Sequence, residues 1–223
     1  MVERKELIEA ARKVLTGPSM LAREDTFLLD HALRVLRYMD AILEFEEVRS
    51  LRVDRICLDG AALFHDAAWV RLERERRESP AYSAATMSAD EIRDYSAEMA
   101  AEELKGLLDN RQIGQLQEII RNYQSRTTRL AEAMVLSDAC NLDDLGAIGV
   151  WRELRRFALE GRGIEDALTS WRRKIDYGYF AARINDTFRF AESRKWAEAR
   201  LKRLEHFMAE MRRENEAQDP RTA

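Results

Sequence analysis

Histidine is scarce in this chain, and two of its three histidines stand where a helix would place an apolar side chain. His31 follows Leu28 by three positions and precedes Val35 by four, so it shares their face of a predicted helix. His65 and Asp66 close the most apolar stretch of the chain. Imidazole and carboxylate groups are both ligands that divalent metal ions accept in proteins.

Asp138 is a third polar residue in an apolar context. It lies four positions after Met134 and four before Leu142, on the apolar face of another predicted helix. Taken singly, a buried histidine or aspartate is most often a hydrogen-bonded core residue. Together, however, four such groups are costly to bury unless they are paired or bound to a cation. One divalent metal ion would satisfy all of them: His31, His65, Asp66 and Asp138.

Helical periodicity extends over almost the whole chain. Nine Gly and three Pro among 223 residues leave few breaks in secondary structure. Ser88 and Glu91 match a capping box at the start of one helix, and the charged segment 71–88 is predicted to be a lid-like loop. Neither a βαβ alternation nor a repeat is evident, so the pattern predicts a single all-α domain. Helices are predicted over 4–15, 24–47, 53–70, 89–108, 111–123, 127–142, 147–160, 164–190 and 192–216.

Composition limits the classes of function. The chain has 37 basic and 41 acidic residues, a net charge of −4 with both signs interspersed, which argues against nucleic acid as the main partner. No apolar run approaches the length of a membrane span. Cys57 and Cys140 each lie in an apolar run and are expected to be buried thiols in a reducing compartment. With no apolar targeting segment near Met1, a cytoplasmic location is expected.

The order of these residues resembles the HD-domain superfamily of metal-dependent phosphohydrolases. Residues 31–35, His-Ala-Leu-Arg-Val, are similar to that family's H-x-x-R-V opening, and residues 61–66 are similar to its A-x-L-x-H-D motif. Residues 137–149 resemble the D-A-D-x-L-D-x-L-G-A-I-G stretch of small bacterial HD hydrolases. The resemblance covers roughly residues 24–150. It implies a helical bundle of the HD type.

The resemblance also implies an organisation along the chain. An N-terminal helix within 1–23 would precede an HD-like metal-binding core over 24–150. C-terminal helices over 151–216 would pack on that core, and 217–223 would form a frayed tail. An apolar stripe on the last helix leaves open whether the chain is a monomer or a homodimer.

The family's chemistry transfers to named positions. It implies one divalent ion, whether Mn, Fe, Co, Ni, Zn or Mg, and a water activated by that ion that attacks phosphorus. Asp66 would also position the water, and the Arg34 fork would suit a phosphate. An ion pair between Arg34 and Asp30, one turn earlier, is an equally weighted alternative. The resemblance thus gives Asp66 and Arg34 as catalytic residues, and the expected substrate contacts are Arg34, Tyr123, Arg126 and Asn141.

Departures from the family pattern bear on function. Tyr95 and Tyr123 stand where two-metal members carry additional histidines, and neutral tyrosine is a poor ligand for these ions. The expectation is therefore a mononuclear phosphohydrolase acting on a small phosphorylated molecule, with a nucleotide favoured. Two alternatives stay open. One is a catalytically degenerate HD-fold protein that binds metal or a nucleotide as a sensor or interaction module. The other is a helical interaction protein without metal.

Overall fold

Helices dominate the structure, a computed structural model that describes residues 2–18, 24–72 and 87–218. The prediction of an all-α chain is confirmed, with the addition of a short antiparallel hairpin of β1 (Gly17–Pro18) and β2 (Glu24–Asp25). The predicted lid over 71–88 falls largely outside the described residues, as does most of the predicted tail. The helices are α1 Arg4–Leu15, α2 Phe27–Leu43, α3 Glu46–Arg49, α4 Arg55–Phe64, α5 Ala89–Glu103, α6 Asn110–Asn122, α7 Ala131–Asp143, α8 Ala147–Leu159, α9 Ile164–Asp176, α10 Tyr179–Thr187 and α11 Ala191–Asn215.

The chain divides into two compact units, residues 1–139 and 140–223. In the first unit, α4 packs against α1, α2, α5 and α6. Every residue from Cys57 to Phe64 is buried, so α4 has no solvent-exposed face along these two turns. A helix that is buried on all sides is typical of a position at the centre of a core.

Small side chains allow this close packing. A Cβ added at Gly60 would lie 2.5 Å from Cδ1 of Leu116, which projects from α6. Gly60 therefore lets the Leu116 side chain of α6 pack directly against the backbone of α4, and a larger residue at position 60 would force Leu116 to shift.

Helix starts in this unit carry the caps that their sequences predict. Glu91 N donates to Ser88 Oγ at 3.2 Å and Ser88 N donates to Glu91 Oε2 at 2.7 Å, which confirms the predicted capping box of α5. Asp54 caps α4, since its side chain accepts a hydrogen bond from Cys57 N at 3.2 Å. These caps fix where α4 and α5 begin.

A cluster of two arginines and two aspartates ties α1 to α2 and α4. Arg4 donates to both oxygens of Asp40 at 2.9 Å and to those of Asp59 at 2.7 and 2.9 Å. Arg55 donates to Asp59 at 2.9 Å and also pairs with Asp40. Burial raises the pKa of Asp59, while its hydrogen bond from Arg4 acts in the opposite direction. Four balanced charges make the burial of Asp59 within α4 tolerable.

Besides the helix predicted over 24–47, which divides into α2 and α3 at residues 44–45, two predicted helices are interrupted. The one predicted over 53–70 stops at Phe64; a turn follows at residues 65–67, and 68–72 are helical again. The one predicted over 164–190 divides into α9 and α10 at Gly178, whose φ of +64° lies in the left-handed region that glycine adopts without strain. The interruption after Phe64 has a direct bearing on the site described below.

The second unit contains α8, α9, α10 and α11, which pack against one another. Its aromatic core includes Trp171 and Phe180, whose ring centroids lie 4.9 Å apart. Arg200 of α11 donates to the Leu142 carbonyl near the end of α7. In the part of the chain that the structure describes, no helix combines the length and hydrophobicity that crossing a bilayer demands.

Candidate metal centre

His31 reaches the centre from the buried face of α2. Its side chain is only 3% exposed, and the neighbouring buried positions on this helix include Ala32 and Val35. The helical spacing that predicted an inward-facing histidine is therefore confirmed. An imidazole in this position loses its hydration, so its nitrogens need partners within the protein.

His65 is presented by the turn that ends α4. It is the C-terminal cap residue of that helix and is 2% exposed. Its Nδ1 lies 2.8 Å from the carbonyl oxygen of Ala62, which is an acceptor, so Nδ1 carries the hydrogen of this bond. In the neutral ring the lone pair is then on Nε2. This arrangement is typical of metal-binding histidines, because the hydrogen bond fixes both the tautomer and the orientation of the ring.

Three potential ligand atoms converge at one point. His31 Nε2 lies 3.1 Å from His65 Nε2, and Asp66 Oδ2 lies 3.4 Å from the first and 3.7 Å from the second. A circle through three atoms at these separations has a radius of about 2.0 Å, which matches the distance of a nitrogen or oxygen ligand from a divalent transition-metal ion. Two nitrogens and one oxygen also form a donor set that such ions accept. The residues therefore fit a divalent metal ion.

Without a metal ion, the two histidines can form a hydrogen bond with each other. If His31 Nε2 carries a hydrogen, it can donate that hydrogen to the lone pair of His65 Nε2 across the same 3.1 Å. The ring centroids are 5.1 Å apart and the planes are inclined by 58°. The Asp66 side chain, at 21% exposure, is the one member of the three with substantial access to solvent. The cluster is thus buried on its histidine side and open at its carboxylate.

Asp138 lies on α7 and is fully buried. Among the described residues, the group whose ligand atoms all lie within 4.8 Å of one another consists of His31, His65 and Asp66, without Asp138. The predicted burial of Asp138 is therefore observed, whereas its ligation of the same ion stays a prediction.

The other predicted site residues have different surroundings. Arg34 is half-buried, three positions after His31 on α2, and Arg126 is exposed in the segment after α6. Tyr123 packs edge-on against His65, with ring centroids 5.5 Å apart, and its hydroxyl accepts a hydrogen bond from Gln124 at 2.8 Å. The structure therefore brings Tyr123 to the centre as a packing neighbour of a predicted ligand.

Asn141 belongs to the C-terminal unit. Its side-chain oxygen accepts a hydrogen bond from Arg183 Nε at 3.0 Å, and the same arginine donates to Asp144 at 2.9 Å and to the Tyr179 hydroxyl at 3.1 Å. This network explains a polar residue near the end of α7 without reference to substrate. A role for Asn141 in substrate binding stays a prediction.

Ser96 is a supporting residue that the sequence analysis missed. It lies fully buried on α5, and its hydroxyl accepts a hydrogen bond from the Ala68 backbone N–H at 3.1 Å. The bond anchors the chain immediately after the His65–Asp66 turn. The available signal was a serine on the same face as Ala97 and Ala100, which are both buried.

Comparisons with known proteins agree on the architecture. No family model matches the sequence, and neither does any curated protein sequence. Among solved structures, Bacillus subtilis YpgQ matches at a TM-score of 0.64 and 18% identity, over 95% of this chain and 94% of YpgQ. YpgQ in complex with ADP matches at a TM-score of 0.63 and 20% identity, with the same coverage. An HD-superfamily hydrolase from Bacillus thuringiensis matches at a TM-score of 0.60 and 18% identity, over 96% of this chain and 97% of that one.

Proposed function

We propose, since this chain has the fold of the HD-superfamily hydrolases, that it is a metal-dependent phosphohydrolase which cleaves a phosphate ester of a small molecule, namely a nucleotide. The observation that carries the proposal is the convergence of His31 Nε2, His65 Nε2 and Asp66 Oδ2 within 3.7 Å of one another. A shared fold alone does not specify a reaction, so the proposal depends on these side chains.

The ligand set in this proposal is His31, His65 and Asp66, with Asp138 as a fourth member. Mn, Fe, Co, Ni and Zn accept both imidazole and carboxylate donors, whereas Mg favours oxygen donors alone, and availability selects among the compatible ions. Tyr95 and Tyr123 replace the histidines that a second ion would need, so one ion is proposed. When bound, the ion supplies Lewis-acid activation of water and of a phosphoryl oxygen.

The chain's own residues are proposed to position the His65 ring, the attacking water and the phosphate. The Ala62 carbonyl holds the His65 ring through Nδ1, so the ring cannot turn without losing that hydrogen bond. Asp66, which is the most exposed of the three, is proposed to orient the attacking water. Arg34 follows His31 by three positions and so lies on the same side of α2, where its guanidinium is proposed to hold phosphate oxygens.

The nucleotide assignment has support from one solved structure. YpgQ, which shares the fold, has been crystallised in complex with ADP. We extend this to the present chain by proposing that Arg34, Tyr123 and Arg126 contact the substrate. Tyr123 is 5% exposed, so its contribution would come from the ring edge beside His65.

Elemental analysis of protein purified without chelator tests the metal centre. We expect about one equivalent of a divalent transition metal in the wild type and none in the His65→Ala variant. His206→Ala is the matched control, because it makes the same substitution at a histidine whose side chain is 79% exposed. Circular dichroism of each variant establishes that the helices are intact. An absence of metal in folded wild type, even after incubation with Mn²⁺, would contradict the proposal.

A phosphate-release assay across nucleoside mono-, di- and triphosphates tests the reaction. We expect turnover that requires metal and that falls by at least about 100-fold in Asp66→Asn. Metal binding without turnover of any phosphate ester would instead support a catalytically inactive HD-fold sensor or interaction module.

A further inference from the structure

The C-terminal unit contains a cavity built from residues separate from the candidate metal centre. Its volume is about 390 Å³, and it is lined by the second half of α8, the following turn, and α9 with the residues just beyond it. That volume lies in the range of small-molecule sites, roughly 300–1,000 Å³. The cavity is therefore large enough for a small ligand.

Positive charge dominates the cavity lining. Four lining residues are cationic, namely Arg156, Arg162, Arg173 and Lys174, against one carboxylate, Asp166. Acidic neighbours compensate part of this charge. Lys174 pairs with Glu153 at 2.7 Å, and Arg162 pairs with Glu160 at 3.4 Å and with Asp166 at 3.6 Å.

Two arginines are left with little compensation. The nearest carboxylate oxygen to Arg156 is that of Glu153 at 3.9 Å, and this carboxylate already binds Lys174. Among the described residues, Arg173 has no acidic partner within salt-bridge distance. Arg156 and Arg173 therefore present positive charge that an anion entering the cavity would neutralise.

Aromatic packing holds part of this lining in place. The Arg156 guanidinium lies 5.0 Å from the Phe157 ring centroid and that of Arg162 lies 3.9 Å from it. Phe157 is itself 2% exposed, so it forms a fixed support for both arginines. A guanidinium stacked on a ring keeps its N–H edge available for a phosphate oxygen.

Two tyrosines supply an apolar surface beside this charge. Tyr177 is 85% exposed and Tyr179 is 42% exposed, and both line the cavity. Tyr179 is held by an edge contact with Phe180 at 5.2 Å and by the hydrogen bond from Arg183. Exposed aromatic rings next to arginines are typical of surfaces on which a nucleobase stacks while its phosphate is bound.

We propose that this cavity is a second ligand site, which binds a nucleotide with its phosphate between Arg156 and Arg173 and its base against Tyr177. The ligand class follows from the combination of arginine donors, which bind phosphate, with an exposed ring, which binds a flat base. The site does not depend on the proposed hydrolase function, because none of its residues belongs to the candidate metal centre.

Isothermal titration calorimetry of the full chain in EDTA, with AMP as the probe, tests the site. Chelation removes any contribution of a metal ion to nucleotide binding. We expect saturable binding by wild type and at least about tenfold weaker binding by the double variant Arg156→Ala/Arg173→Ala, since each charged hydrogen bond contributes enough to change affinity on this scale. Arg172→Ala is the matched control; it removes an exposed arginine of α9 that does not line the cavity and should leave affinity unchanged.

A second titration, which compares AMP with inorganic phosphate, tests the contact with the base separately from the contact with the phosphate. We expect Tyr177→Leu to weaken AMP binding and to leave the binding of inorganic phosphate unchanged. The proposal would be overturned if the wild type did not bind AMP, or if the double variant bound AMP as tightly as the wild type does. If Tyr177→Leu weakened the binding of AMP and of phosphate equally, the proposed contact with the base would be wrong. Asp66→Asn should bind AMP normally, so failure of this site and failure of the proposed hydrolase can be told apart.

Discussion

The hydrogen bond between His65 and its own helix determines what the centre can do. It places the ring hydrogen on Nδ1, towards the Ala62 carbonyl, and the lone pair on Nε2, towards His31 and Asp66. A ring with the opposite tautomer would present N–H to the same point and could not ligate a cation there. The chemistry of the centre therefore depends on how α4 ends.

Asp138→Asn tests the fourth proposed ligand. We expect it to weaken metal affinity by at least about tenfold, because an amide is a poorer ligand than a carboxylate while its shape is almost the same. Competition with a chelating dye measures the affinity. Asp143→Asn is the matched control, since Asp143 is equally buried on α7 and pairs with Arg152 at 3.2 Å. Equal affinities for wild type and Asp138→Asn would exclude Asp138 from the ligand set.

Cys57 is expected to be unreactive in the folded protein. Burial, followed by the nearby Asp54 carboxylate, raises the pKa of its thiol to about 12 from an ordinary value of 9.0. Alkylation by iodoacetamide, followed by peptide mass spectrometry, should therefore show little labelling from about pH 7 to about pH 9, because the thiolate is the reactive form. Protein unfolded in urea should be labelled readily. Rapid native labelling that follows the ordinary thiol titration would contradict the buried position of Cys57.

The same pKa shift has a consequence for stability. Between pH 9.0 and about 12 the Cys57 thiol keeps its proton in the folded state and loses it in the unfolded state. The folded state therefore binds more protons than the unfolded state in this interval, and the free energy of unfolding falls as the pH rises. The contribution of Cys57 to stability is therefore present below pH 9.0 and is lost across that interval.

Sequence spacing predicted the inward position of His31 because helical periodicity alone fixes it. The convergence of His31 with His65 and Asp66 was predicted by resemblance to a known motif. The turn at 65–67 had no local signal, since residues 61–70 contain neither glycine nor proline. Ser96 was missed for a related reason: its hydrogen bond to Ala68 joins two helices, and periodicity within one helix carries no information about partners on another.

At the scale of secondary-structure elements, close contacts with neighbouring helices restrict the movement of α4. Its close approach to α6 at Gly60 means that the two helices cannot move apart without opening a gap in the core. The Arg4–Asp59 bonds add a polar link from α1 to the same helix. The helix that presents His65 is thus held on several sides.

Gly60→Ala is expected to destabilise the protein by about 1–2 kcal/mol. The added Cβ would meet Leu116 Cδ1 at 2.5 Å, and the cost of that overpacking exceeds the gain in helix propensity. Gly114→Ala on α6 is the matched control, because nothing lies within 4 Å of its added Cβ; it should stabilise by up to about 1 kcal/mol. Urea denaturation gives both values. A Gly60→Ala protein as stable as wild type would show that Leu116 moves aside freely.

Helix boundaries were predicted best where a side-chain cap marks them. The Ser88 capping box gave the start of α5 correctly. The break at Gly178 was marked by its glycine, but the periodicity on either side continues, and the pattern was interpreted as one helix. The hairpin of β1 and β2 has two residues per strand, which is too short for an alternating pattern.

At the scale of the molecule, the proposed metal ligands His31, His65 and Asp66 all belong to the unit of residues 1–139, and the proposed nucleotide cavity belongs to residues 140–223. The boundary falls within α7, just after Asp138. The all-α fold class was predictable from composition and periodicity. The similarity of fold to solved structures persists at 18–20% sequence identity because a fold tolerates many substitutions that preserve its apolar pattern.

Metal binding should raise the thermal stability of the whole chain. At a free ion concentration of about 100 times Kd the folded state gains about 2.7 kcal/mol, which for a chain of this size corresponds to a Tm increase of roughly 5–10 °C. Differential scanning calorimetry with EDTA or with Mn²⁺ or Zn²⁺ measures the change. His31→Ala should show no such increase, whereas His206→Ala should behave as wild type. A rise of equal size in His31→Ala would place the stabilising ion elsewhere.

The eight consecutive buried residues that end α4 also set the order in which the backbone becomes accessible to solvent. Amide hydrogens along Cys57–Phe64 are expected to exchange with deuterium only through global unfolding, since no smaller opening exposes a helix enclosed by its neighbours. His65 comes immediately after this segment. The candidate metal centre is therefore expected to be attached to a slowly exchanging segment of the first unit, and its ligands should stay in place through local fluctuations elsewhere in the described residues.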